Sequence, residues 1–282
     1  MKLRTALALA ASVFLAACGS SSGTSGPPPA ATVSPPPDSE LVTPGTLTMG
    51  SDMSYAPQEF FDPPGSQTAA GFDIDVAKAM ADKMGLKFTA VNQGFDGLIP
   101  ALDTKKFDII MSALTVKPDR QAKIDMVPYF VGGQSFVVKK AGSFKPAKLE
   151  DLCGHKVAVQ NGTTELDTVN DDLNAAGKPC ASNKVDIQSF PTDTEALAQL
   201  KKDAVEVHYT DSPVASYEAS KDSSVVVSTS APFAVAPEGI GLRKSSPILD
   251  PIKKAFQAIR DDGTYKKLLD KWSLADGDIS KA

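Results

Sequence analysis

From residue 45 onward, apolar and polar positions alternate in short blocks. Residues 73–84 carry Val76, Met80 and Met84 at intervals of four, which is one apolar stripe of a helix. Gly85 follows, where a left-handed residue commonly closes such a helix. Residues 47–50 and 87–91 read as strands, 95–102 as a short helix, and 107–112 as an apolar buried strand. Further on, 156–160, 185–190, 205–210 and 224–228 read as strands, and 164–176, 193–203 and 212–220 as helices. Residues 251–260 and 264–272 read as two amphipathic helices. Repeated strand–helix–strand order predicts parallel sheets flanked by helices. About 235 residues of this pattern exceed one small sheet, so two α/β lobes are expected.

The first residues are patterned differently. Lys2 and Arg4 precede a mostly apolar run over 5–17, too short to span a bilayer and of the length of a signal-peptide core. It ends Leu15-Ala16-Ala17-Cys18, which resembles a bacterial lipobox, with 1–17 removed and Cys18 lipidated. The plainer alternative is an ordinary signal peptide cut near Ala17, with Cys18 incidental. Residues 18–45 are rich in Gly, Ser, Thr, Ala and Pro and are expected to form a disordered tether. Together these features describe a body held at the outer face of a membrane by a lipid and by no spanning segment.

Composition narrows the possibilities. The chain has 282 residues, 42% hydrophobic and 22% charged, which is globular. Its net charge of −5 becomes −7 once Lys2 and Arg4 are lost, which argues against a nucleic-acid surface. Two histidines and three cysteines leave little room for a metal site, and none is assigned. His155 beside Cys153 is too weak a pattern for a metal, and His208 reads as a packed strand residue. In an exported chain Cys153 and Cys180 are expected to pair; two buried thiols are the alternative.

Six strings run in order: Gly71-Phe72-Asp73-Ile74-Asp75, residues 95–102 (FDGLIPAL), 107–112 (FDIIMS), 157–164 (VAVQNGTT), Thr210-Asp211-Ser212-Pro213, and 239–244 (GIGLRK). Together they resemble the bacterial extracellular solute-binding proteins of family 3, which bind polar amino acids for ABC importers. The resemblance covers roughly residues 46–275. It implies a two-lobe flytrap fold with two hinge crossings, each lobe a mostly parallel sheet flanked by helices. The implied crossings lie near 131–134 and 231–235, the first lobe being 46–133 plus 233–282 and the second 134–232. It also implies a monomer working with a permease and a cytoplasmic ATPase, without a cofactor.

A free amino acid carries a carboxylate and an ammonium, and each needs a countercharge when buried. The resemblance assigns the carboxylate to Arg120, whose planar fork suits it. Thr115, Gly162 and Thr164 add contacts, and Asp211 with Ser112 takes the ammonium. Tyr55 and Phe95 match positions that sandwich the ligand side chain, and Asp52 matches a carboxylate used on polar or basic side chains. Read alone, Arg120 is an exposed helix residue, Asp211 an N-cap, and the aromatics plain core. Asp52 with aromatic walls fits a basic side chain, and also glutamine; Gln160 does not decide between them. Two positions depart from the family pattern. Lys117 replaces a threonine that would cap the helix at Pro118, and bulky His208 and Tyr209 replace small residues.

No P-loop or nucleophile elbow is present, and no catalytic residue is assigned. A dehydratase acting on prephenate or arogenate is a competing reading on the same fold. A sensory module presenting ligand to a receptor is another.

Overall fold

The computed structural model describes residues 32–281. The proposed signal peptide and Cys18 lie outside them. The strands are β1 (Thr46–Ser51), β2 (Ser54–Tyr55), β3 (Glu59–Phe61), β4 (Ala69–Ala70), β5 (Lys87–Asn92), β6 (Ile109–Ile110), β7 (Ile124–Lys139), β8 (Lys156–Gln160), β9 (Asp186–Phe190), β10 (Val207–Asp211), β11 (Val225–Val227) and β12 (Phe233–Arg243). The α-helices are α1 (Phe72–Lys83), α2 (Leu98–Asp103), α3 (Pro118–Lys123), α4 (Thr164–Asp167), α5 (Asp193–Lys201), α6 (Ser212–Lys221), α7 (Leu249–Asp261) and α8 (Thr264–Trp272).

The fold is α/β with two lobes. In the first, β1 lies between β5 and β6, parallel to both. In the second, β8 lies between β9 and β10, again parallel to both. Every residue of β1 is buried, as expected of a parallel strand covered on both faces. The antiparallel pair β7 and β12 joins the two halves into one continuous sheet. Alternate residues serve opposite faces. Val157 and Val159 pack with Phe136 and Val207, whereas Ala158 packs with Val137 and Leu197. The α1 stripe of Val76 and Met80, with Met84 just beyond, is almost fully buried against Leu47, Met49 and Phe256. Burying side chains of this size contributes about 1.5–3 kcal/mol each. Gly85, at φ 67°, turns the chain into β5.

Several expectations are corrected. The tether does not extend to residue 45: Thr32 and Val33 donate to the Lys83 carbonyl (2.9 and 3.0 Å), and Leu41 is buried in the first lobe. The strand expected at 107–112 shortens to Ile109–Ile110. The Asp108 carboxylate accepts from the Val42 and Thr48 amides (2.7 and 2.8 Å), and at Ala113 the chain turns away with φ 46°. The helix expected at 164–176 is one α turn followed by a π turn over Thr168–Leu173. Just beyond it, the Asn174 side chain accepts from Val185 N (2.8 Å) and donates to Val185 O (3.0 Å), tying the helix end to the approach to β9. The strands β7 and β12 were not anticipated, because Pro128, Gly132 and Gly133 interrupt any strand pattern in β7.

Cys153 and Cys180 form a disulfide across 27 residues. By loop entropy it stabilises the lobe by roughly 3 kcal/mol. It also removes Cys153 from any metal site, and the neighbouring His155 instead stacks on Phe144 and approaches Glu206 (3.0 Å).

Candidate functional site

The parallel strands deliver their carboxyl ends to the seam between the lobes, where ligands of open α/β sheets gather. There a cavity is lined by Asp52, Tyr55, Glu59, Phe95, Ser112, Ala113, Thr115 and Arg120 from one side. Gln160, Thr163, Thr164, Glu165 and Asp211 line it from the other. Eight of the nine expected ligand residues lie on its wall; the ninth, Gly162, abuts it. Gly162, at φ 74°, makes the turn from β8 into α4 and offers its carbonyl to Arg120 Nη2 (3.1 Å).

Arg120 is 5% exposed and so is not a surface helix residue. Its Nη1 donates to Thr115 O (3.0 Å), and its guanidinium lies 5.4 Å from the Phe95 ring centroid. Asp211 precedes α6 but makes no side-chain cap to it. Its Oδ2 instead accepts from the Tyr55 hydroxyl (2.8 Å), which itself accepts from Thr210 Oγ1 (3.2 Å). Ser112 Oγ donates to Glu59 Oε1 (2.9 Å) and accepts from Asp52 N (3.1 Å). Asp52 accepts from Phe95 N (3.0 Å) and, across the seam, from Gln160 Nε2 (2.7 Å). Thr164 Oγ1 accepts from Gln134 (2.9 Å) and donates to Glu165 (3.2 Å).

The Asp52–Gln160, Tyr55–Asp211 and Arg120–Gly162 bonds join the two lobes across the seam. Lys117 joins them. It leaves α3 without a side-chain cap, and its ammonium reaches Asp167 on the other lobe (2.6 Å). The bulky residues on β10 do not narrow the cavity. His208 Nε2 meets Asp193 (2.8 Å), and Tyr209 packs on the opposite face of the sheet and donates to Gln134.

Arg120 is the only cation lining the cavity among the described residues, against Asp52, Glu59, Glu165 and Asp211. Burial raises all four carboxyls above the usual range. Asp211 reaches about 7, with Glu238 adding to the effect of burial. Glu59 is pushed well up by burial and then by Asp73, and Glu165 by burial and then by Asp211. Such a wall suits a small solute with one anionic group for Arg120 and cationic groups for the carboxyls.

Glu59, Thr163 and Glu165 escaped the sequence reading. Glu165 sits in the first turn of a helix, where an acidic residue ordinarily needs only the helix dipole as its reason. Glu59 sits in a strand beside two phenylalanines and reads as an exposed alternation position.

Residues 47–275 match the bacterial extracellular solute-binding proteins, family 3. The chain belongs to this family. A histidine-binding periplasmic protein of Escherichia coli K12 is 31% identical to it, covering 81% of this chain and 88% of that one. A solved ancestral arginine-binding protein bound to arginine superposes with TM-score 0.73 at 36% identity, covering 81% and 98% of the two chains. An ancestral amino acid-binding protein, a precursor of cyclohexadienyl dehydratase, gives 0.71 at 39% identity, covering 81% and 95%. The histidine- and arginine-binding relatives are binding proteins rather than enzymes, and so is this family 3 chain. The family is extracytoplasmic, and among the described residues no helix is long and apolar enough to cross a membrane.

Proposed function

We propose that this protein captures a free polar L-amino acid, with a basic side chain preferred, between its lobes. In this reading it delivers the ligand to an ABC permease driven by a cytoplasmic ATPase, working as a monomer tethered through a lipid on Cys18. Arg120 takes the α-carboxylate. Asp211 takes the ammonium, helped by Ser112, while Thr115, Gly162 and Thr164 complete the cradle. Tyr55 and Phe95 wall the side chain, and Asp52 meets its polar or cationic end. The lobes meet at 133/134 and 232/233, where β7 and β12 cross side by side.

The observation that carries this reading is one arginine sharing a single pocket between the lobes with four carboxyls, three of them buried. A neutral zwitterion brings one positive charge to that wall, and a basic amino acid brings two. The known ligands of the histidine- and arginine-binding relatives agree in kind. Closure follows because the ligand touches both lobes only when they are together, so binding favours that state. The test is a thermal-shift screen of the twenty amino acids with ornithine and citrulline. A ligand at 100 times its Kd should stabilise the fold by about 2.7 kcal/mol. Stabilisation by arginine, lysine or ornithine is the expected result. Stabilisation only by glutamate or aspartate, which Asp52 should repel, would overturn the side-chain assignment.

A further inference from the structure

Glu165 is 2% exposed, lines the cavity, and its Oε1 has no hydrogen-bond partner among the described residues. Its carboxyl lies within hydrogen-bonding reach of the Asp211 carboxyl. Asp211 Oδ2 is engaged by the Tyr55 hydroxyl at 2.8 Å. Arg120, the nearest cation, spends two of its donors on the carbonyls of Thr115 and Gly162. Two neighbouring carboxyl groups without a paired cation, one buried and one half-buried, resist ionising together and hold a proton between them.

The surroundings push the same way. Glu238 in β12 and Asp193 in α5 raise Asp211 further by their charge, Asp211 in turn raises Glu165, and Asp52 after β1 and Glu59 in β3 line the same cavity. Tyr55 in β2 and Tyr209 in β10 are neutral at working pH, both pushed above the usual tyrosine range by burial. His208 is engaged by Asp193 (2.8 Å). Arg120 in α3 is the lone opposing charge among these groups. An ammonium group changes the balance. It brings a positive charge and three N–H donors, enough for Asp211, for the free Oε1 of Glu165 and for one hydroxyl.

We propose that ligand capture here is proton-linked: the ammonium of the amino acid displaces the proton shared by Glu165 and Asp211, which passes to solvent. This rests on reading the cavity as an amino-acid site. The only bond change is proton transfer: the carboxyl O–H of Glu165 breaks, the buffer base takes up that proton, Glu165 is left a carboxylate, and the ligand stays an ammonium ion. Burial raises both carboxyls above the usual carboxylate range, in keeping with one proton held on the pair.

The experiment is calorimetry of L-arginine, L-lysine, L-histidine and L-glutamine binding at pH 7.5 in phosphate and in Tris, whose ionisation enthalpies differ. About one proton released per ligand is expected for the wild type. Its affinity should rise roughly tenfold per pH unit from pH 7 to 8, the slope of one released proton. In Glu165→Gln, release should fall close to zero and the affinity should lose its slope above pH 7.5. Equal binding heats in the two buffers for the wild type would overturn the proposal. So would equal proton release from the wild type and a folded E165Q, which would place the proton elsewhere, such as on Glu59. The wild-type buffer comparison decides alone if E165Q does not fold. Binding without proton release refutes this linkage but leaves the amino-acid reading standing, whereas no binding of any amino acid refutes both.

Discussion

Asp211→Asn should make the unliganded protein more stable at pH 8 while impairing its function. Burial, reinforced by Glu238, raises Asp211 from the ordinary carboxylate range to about 7. A carboxyl whose folded value is raised adds stability below pH ~4, and that contribution is lost as the pH climbs through 7. A shift of about three units corresponds to roughly 4 kcal/mol between those limits. Asp211 is only partly buried by surface area, so solvent screening reduces this to about 2 kcal/mol. Asparagine matches the protonated acid in shape. Its oxygen can keep the Tyr55 hydroxyl, and its amide can donate to Glu165, so the repulsion goes and the bond stays. The variant should melt about 4–8 °C higher than the wild type at pH 8, with a much smaller gain at pH 5. Its affinity for the amino acid should fall by about 2–5 kcal/mol, because a buried ammonium has lost its countercharge. Paired melts at pH 5 and 8, with calorimetry at pH 8, measure both effects. A variant less stable than the wild type at pH 8, or one that binds ligand as well, would refute the reasoning.

Arg120→Ala should cost about 2–5 kcal/mol of ligand affinity by stranding the α-carboxylate, and calorimetry on a folded mutant showing unchanged affinity would retire its role. Asp52→Asn should weaken a basic ligand at least tenfold, about 1.4 kcal/mol or more, but glutamine less, since asparagine still accepts the Phe95 amide; competition titrations separate the two. Cys18→Ala should release the protein from membranes, because a diacyl anchor contributes about 0.8 kcal/mol per buried methylene; mutant protein still in the membrane fraction at high salt would refute the lipid anchor.

The sequence by itself determined the α/β class, because hydrophobic periodicity is a local property. The pattern over 156–160 predicts a strand where β8 lies, and the stripe with Gly85 predicts α1 within a residue of its place. The ordered strings around Asp211 and Gly162 pointed to residues that the fold does bring to one cavity. The tertiary structure alone decided the rest. The crossing strands β7 and β12 take their strand form from pairing with each other over a long register, and no local signal survives Pro128 and the glycine pair. Which carboxyls would share a proton was equally invisible. Glu165 and Asp211 are far apart in the chain, and only lobe packing removes water from both and brings Tyr55 from the other lobe onto Asp211. Lys117 makes the same point. In the chain it looks like a lost helix cap, but the fold sets Asp167 opposite it and makes it a clasp across the cleft. Charge pairing depends on distance in space and on dielectric surroundings, and both come into being only when the chain has folded.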